Sequence, residues 1–175
     1  MNAAAPKDIA ALLKEDRIYD VVPQHVLASM TGLEFMQAMI DGKLPAPPIT
    51  GTMGFLITRV EKGYALAEAI PSFDYYNPIG TVHGGYAATL LDTVLGVSVH
   101  TMMDKGQGYT TLEFKISFIK AITKDTGPIR TEGRVFNVGR RAATAEAHLR
   151  DASGKLLAHA TTTCLVFDIP LPKAA

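Results

Sequence analysis

NPIGTVHGGYAATLLDTVLGVSVHTMM, residues 77–103, is a long apolar segment that holds one carboxylate, Asp92. Between His83 and Asp104 there is no Lys, Arg or Glu, so across roughly five helical turns Asp92 and His100 are the only acid and imidazole. The residues at helical spacing from Asp92 are Gly85, Ala88, Thr89, Leu95 and Gly96, flanked by Leu90, Leu91 and Val94; a solvated face would carry polar residues there. A membrane span does not fit. The run 87–103 is shorter than the roughly 20 residues needed, and a central Asp costs about 2.5–3.5 kcal/mol on insertion scales. The segment therefore reads as a buried helix that keeps one acid for a reason.

Outward from the helix, the hydrophobic period changes to two on both sides. Upstream, residues 53–70 alternate Phe55, Ile57 and Arg59 with Leu56, Thr58 and Val60, turn at Glu61-Lys62-Gly63, and return with Ala65, Ala67 and Ala69 on one face. Downstream, Leu112, Phe114, Ile116 and Phe118 alternate with Thr111, Glu113, Lys115 and Ser117. Strands over 130–138, 142–150 and 155–167 follow, the last two joined by the turn Asp151-Ala152-Ser153-Gly154. A lone apolar helix must bury all its sides. A strongly curved antiparallel sheet wrapped around it does so, with a partner subunit covering the remaining helix surface and the sheet edge.

The first fifty residues read as an extension (1–50) to a main domain over 51–175. A short amphipathic helix is expected over 7–16, with Ile9, Leu12 and Leu13 apolar, and a second one after the N-cap Thr31, ending near Gly42. Both are expected to pad the main fold. KLPAPPIT (43–50) is a stiff proline linker, and IPLPKAA (169–175) a proline-marked tail.

The chain has 175 residues, 47% of them apolar, with 17 basic and 17 acidic side chains and zero formal net charge. That supports one compact domain and gives no global field for nucleic acid or an anionic membrane. The single cysteine, Cys164, excludes an internal disulfide and fits a cytoplasmic setting, as does an N-terminus without a basic start and an uninterrupted apolar run. Cys164 alternates within a strand and reads as a small buried apolar residue. The five histidines (25, 83, 100, 148 and 159) show no metal-ligand spacing, and no glycine-rich phosphate loop occurs, so neither metal nor cofactor is expected. Gly96-Val97-Ser98-Val99-His100 lacks the last glycine and the strand-to-helix turn of a nucleophile elbow.

Three features near the helix start suit acyl transfer. Glycines at a helix N-terminus leave N–H groups unshielded at the positive end of the dipole, so Gly84 N–H is a candidate oxyanion donor, with Gly85 beside it. Asn77 offers an amide for a second hydrogen bond or a water. Asp92, desolvated by its surroundings, is expected to have a raised pKa and to serve as general base or nucleophile. Gly84 and Asp92 are eight residues apart, about 12 Å along a helix, whereas a base and an oxyanion donor must each lie within roughly 3 Å of one reacting group. If both act on one substrate they come from two antiparallel helices. The expectation is a homodimer with composite sites, Asn77 and Gly84 from one chain and Asp92 from the other.

The pattern Asn77, His83-Gly84-Gly85, Asp92 resembles that of the hot-dog-fold acyl-CoA thioesterases of the phenylacetate-pathway (PaaI-like) group, with likeness over about 51–167. The resemblance implies an α+β hot-dog fold assembling as dimers and commonly homotetramers. It further implies Asp92 as base or nucleophile, Gly84 N–H as oxyanion donor with His83 adjacent, and Asn77 near the carbonyl and water. Thr111 matches the residue that holds the attacking water, with Thr110 as a lesser substitute. Arg140 and Arg141, after Gly139, match the turn whose basic side chains meet coenzyme A phosphates. The expected function is hydrolysis of aryl or medium-chain acyl-CoA, with the acyl pocket near Phe73, Tyr75 and Tyr76. The alternatives are a non-catalytic acyl-CoA-sensing domain and a hot-dog hydratase or dehydratase.

Overall fold

A computed structural model describes residues 8–170. Its elements run α1 (Ile9–Leu12), α2 (Gln24–Ser29), α3 (Gly32–Ile40), α4 (Pro48–Thr52), β1 (Phe55–Glu61), β2 (Tyr64–Ala69), α5 (Gly84–His100), β3 (Gln107–Phe118), β4 (Ile129–Val138), β5 (Ala142–Asp151) and β6 (Leu156–Asp168). The six strands form one antiparallel sheet in the order β1-β2-β4-β5-β6-β3, which packs on α5 as a hot-dog fold.

Small side chains set the distance between helix and sheet. Ala65, Ala67 and Ala69 on β2, Ala143, Ala145 and Ala147 on β5, and Ala158 and Ala160 on β6 are all buried. On β4, a Cβ on Gly133 would lie 2.4 Å from Val94 O, so only glycine lets the helix backbone approach there. From the helix side Leu90, Leu91, Val94, Leu95 and Val99 are fully buried, each contributing about 1.5–3 kcal/mol by removal from water. Only Gly84, Gly85, Ala88, Thr89, Asp92 and Thr93 keep accessible surface, and they form one stripe at helical spacing.

The strand alternation is interrupted by bulges, which the sequence did not reveal. In β3 the register shifts between Thr111 and Glu113, and Leu112, expected on the face of Phe114, is instead 60% exposed. The bulge turns Thr111 to the helix side together with Phe114 and Ile116. β3 is an edge strand of 12 residues.

The N-terminal region is more helical than expected. α1 is a single turn, capped by Asp8 Oδ1, which accepts from Ala10 N–H at 3.1 Å; Lys7 lies outside the described residues. The Thr31 cap is present and reciprocated, Thr31 Oγ1 accepting from Glu34 N–H at 3.3 Å and Glu34 Oε2 from Thr31 N–H at 2.9 Å. Gln24–Ser29 and Pro48–Thr52 add two short helices, the second inside the proline segment with Pro48 in its first turn. Phe35 and Met36 of α3 join the main core. Of the tail, residues 171–175 lie outside the described residues.

Candidate active site

His83 is the N-cap of α5, in extended backbone conformation (φ −60°, ψ 136°). Its Nδ1 accepts from Gly85 N–H at 2.8 Å, which places the proton of a neutral ring on Nε2. A side chain on Gly85 would meet that nitrogen at 2.8 Å, so Gly85 makes room for the cap. Gly85 N–H is thereby committed. Gly84 N–H, one residue earlier, makes no hydrogen bond among the described residues and remains the open donor of the pair.

The loop before the cap is braced from several sides. Asn77 Oδ1 accepts from Ile79 N–H and Thr81 N–H, both at 3.1 Å, and Asn77 Nδ2 donates to Thr81 Oγ1 at 2.9 Å. Asn77 is thus chiefly the clasp of the 77–81 turn, with one amide proton left over. Val82 N–H donates to Ile122 O at 2.8 Å and His83 N–H to Tyr75 O at 2.7 Å. Asn77 and Gly84 border one cleft of about 310 Å³, walled by Phe118, Lys120, Ile122 and Leu157.

Asp92 lies two turns further along the helix, half-buried. Thr111 Oγ1 donates to its Oδ1 at 3.2 Å, and its other oxygen accepts nothing among the described residues. Asp92 and Thr111 open into a second cavity of about 310 Å³, which Gly84 does not border. Two rings flank it, His100 buried and Tyr109 partly buried. His100 packs against Phe35 and Tyr109, with centroids 5.4 and 5.5 Å away, and burial pushes its pKa down to about 4, so the imidazole is neutral. Burial likewise raises the Tyr109 phenol. Cys164, opposite Thr111 on β6, is buried, and burial raises its thiol pKa, so it is a packed thiol and not a nucleophile.

Arg140 and Arg141 sit exposed in the β4–β5 turn without an ion pair among the described residues. The register Ala143↔Cys164↔Thr111 puts that turn at the Asp92 end of the sheet, with two strand spacings, roughly 10 Å, between β5 and β3. The structure therefore gathers Asp92, Thr111 and the arginine turn at one end, and Asn77, His83, Gly84 and Gly85 at the other.

Several site residues escaped the sequence reading. Met36, Met39, Pro47, Ile49 and Ile57 border the Asp92 cavity, although their apolar character marks them only as core or linker. None of the three aromatic residues expected near the acyl group borders the Asp92 cavity: Tyr75 stacks on Tyr86 at 4.3 Å, and Phe73 and Tyr76 pack on each other at 5.1 Å. Linear spacing also hid a cross-strand group, Glu146, His148 and His159, whose ligand-type atoms lie within 4.8 Å of one another on the outer sheet face.

Fold and site together define a hot-dog protein with an acid and an open helix-start donor. The thioesterase superfamily model matches residues 79–158, which hold His83, Gly84, Gly85, Asp92, Thr111, Arg140 and Arg141 but not Asn77. A Saccharolobus solfataricus protein named as an esterase is 32% identical over 104 residues, 59% of this chain and 72% of that protein. The proofreading thioesterase EntH of Klebsiella pneumoniae is 27% identical over 103 residues, 59% of this chain and 74% of that one. A crystal structure of a phenylacetic acid degradation-related protein from Ralstonia eutropha superposes with a TM-score of 0.68 at 29% identity, covering 75% of this chain and 98% of its own. The chain belongs to the thioesterase superfamily, and its reaction class is thioester hydrolysis. No described helix is long and apolar enough to cross a membrane.

Proposed function

We propose that the protein hydrolyses acyl-CoA thioesters to a carboxylic acid and free coenzyme A, in a homodimer whose two sites each join Asp92 of one chain to Gly84 of the other. One observation carries the reading: the one acid of the helix and its open N-terminal donor, about 12 Å apart along the helix, border separate cavities. A two-fold arrangement of antiparallel helices brings each acid to the other chain's donor. The accessible helix stripe and the long β3 edge support it. An unpaired 12-residue edge with Leu112 60% and Phe118 58% exposed is an aggregation liability unless another strand covers it. Dimers of this kind pair further into a tetramer.

In the composite site water attacks the thioester carbonyl carbon as Asp92 takes its proton, with Thr111 holding the carboxylate. The oxyanion forms at Gly84 N–H, assisted by the helix dipole and the spare Asn77 amide proton. Collapse breaks the C–S bond, and the thiolate takes up the proton. Direct attack by Asp92, through an anhydride that water then opens, gives the same products. His83 acts by occupying Gly85 N–H. Arg140 and Arg141 meet the coenzyme A phosphates. Residues 51–175 form the catalytic unit and residues 1–50 an extension to it, in a cytoplasmic setting where coenzyme A thioesters and the unpaired Cys164 both persist.

The test is steady-state release of free thiol from acetyl-, octanoyl-, benzoyl- and phenylacetyl-CoA. Turnover that falls by about 10²–10⁴ in Asp92→Asn is the expected result. Binding of these thioesters without turnover would reassign the protein to acyl-CoA sensing.

A further inference from the structure

The cavity beside Asp92 divides its labour between two parts of the chain. Asp92 and Thr111, the polar groups that meet in it, lie in the span matched by the superfamily. Its apolar walls come largely from outside that span: Phe35 and Met39 on α3, and Pro47 and Ile49 at the start of α4. We infer that the N-terminal extension forms the acyl pocket of the proposed thioesterase site, and that the pocket takes an uncharged apolar acyl group of compact to medium length. The inference rests on the hydrolysis reading for the word acyl, but not for the pocket.

Three observations carry it. First, the cavity starts at the acid. Asp92 and Thr111 border both the chamber of about 310 Å³ and an adjoining open groove of about 590 Å³ lined also by Val21, Val22 and Leu27, so a group entering from the carboxylate meets Phe35 and Met39 of α3. These sizes are those of small-molecule sites.

Second, the walls carry no Lys or Arg. The ionisable groups facing the two chambers are Asp92, Asp20, His100 and Tyr109, and the last two are held neutral by burial. A second carboxylate on the acyl group, as in succinyl- or malonyl-CoA, would enter without a counter-charge, facing Asp92 and the exposed Asp20, and is disfavoured.

Third, the lining is exposed and adaptable where a ligand would enter. Ile49 is 47% exposed, an apolar side chain left at water, and Met39, which lines the same cavity, is an unbranched, adaptable packer.

The experiment compares wild type with Ile49→Trp and Met39→Ala in kcat/KM for acetyl-, octanoyl-, phenylacetyl- and succinyl-CoA. Wild type should prefer octanoyl and phenylacetyl to succinyl by at least about a hundredfold. Ile49→Trp, which narrows the mouth at an exposed position, should lower the octanoyl-to-acetyl ratio at least about tenfold, and Met39→Ala should move the preferred acyl group to a larger one. Ratios that stay constant in both variants, or turnover that drops equally for every substrate, would overturn the pocket assignment. If wild type releases no thiol at all, the hydrolysis reading falls, and calorimetric binding of octanamide, an uncharged probe, decides the pocket alone. Binding weakened about tenfold in Ile49→Trp upholds it, and equal or absent binding in both proteins overturns it.

Discussion

Thr111 Oγ1 donates a hydrogen bond to Asp92 Oδ1 at 3.2 Å, tying the edge strand to the central helix at the one acid the helix carries. The contact exists because the Leu112 bulge turns Thr111 toward the helix. It fixes one carboxylate oxygen and leaves the other open for water. Thr111→Val keeps the shape and removes the donor, so kcat should fall about ten- to a hundredfold with a smaller change in KM, whereas Thr111→Ser restores most of it. Equal kcat for wild type and Thr111→Val would remove Thr111 from the mechanism.

Gly84 permits an unusually clean test of a backbone donor. It is the first residue of α5, the position where proline is best tolerated, and His83 before it already has the extended conformation that proline requires (φ −60°, ψ 136°). Gly84→Pro therefore deletes the N–H and keeps the helix. A loss of about 10²–10³ in kcat is expected. Gly84→Ala is the control for bulk: its Cβ meets only the Phe118 ring, at 3.0 Å, and retains the donor. Similar losses in both variants would mean that the glycine serves space and not the oxyanion.

The sequence disclosed the helix, its acid, its glycine start and the strand segments along the chain because each rests on local pattern, period 3.6, period 2 and turn residues; the order of the strands in the sheet it did not disclose. It was blind where one residue changes the pattern. The bulge at Leu112 inverts the face of Thr111 and leaves no signal in the alternation TTLEFKIS. Asn77 looked like a donor to substrate, and its side chain is spent mainly on Ile79 and Thr81. Phe35, Met39 and Ile49 form cavity walls only through tertiary packing, which apolar composition cannot distinguish from core. Nor does linear spacing reveal Glu146, His148 and His159, which the ladder register aligns.

Burial of His100 makes stability depend on acid. Its pKa is 6.5 when unperturbed and about 4 in the folded chain, because the charged form loses its hydration. Above about pH 6.5 both folded and unfolded states hold it neutral, and stability is full. As pH falls below that value the unfolded state binds the proton and the folded state does not, so stability drops until about pH 4, where the folded state is protonated too. The loss amounts to about 3 kcal/mol. Denaturant melts at pH 7.5 and 4.5 should show His100→Gln losing less stability across this interval than wild type by about that amount. Parallel losses in the two proteins would refute a buried neutral His100.

The composite site makes a prediction that no single-chain site can meet. Asp92→Asn and Gly84→Pro homodimers each carry one lesion in both sites and should be nearly inactive. In a mixed dimer, purified through two different tags, one site pairs the altered Asp92 with the altered Gly84, and the other pairs both native residues. About half of the wild-type activity per dimer should return, with the wild-type KM, since the recovered site is intact. If Gly84 and Asp92 of one chain acted together, every site in the mixed dimer would keep one lesion and no activity would return. The separation of about 12 Å along one rigid helix argues for recovery, because no side-chain rotation closes that distance.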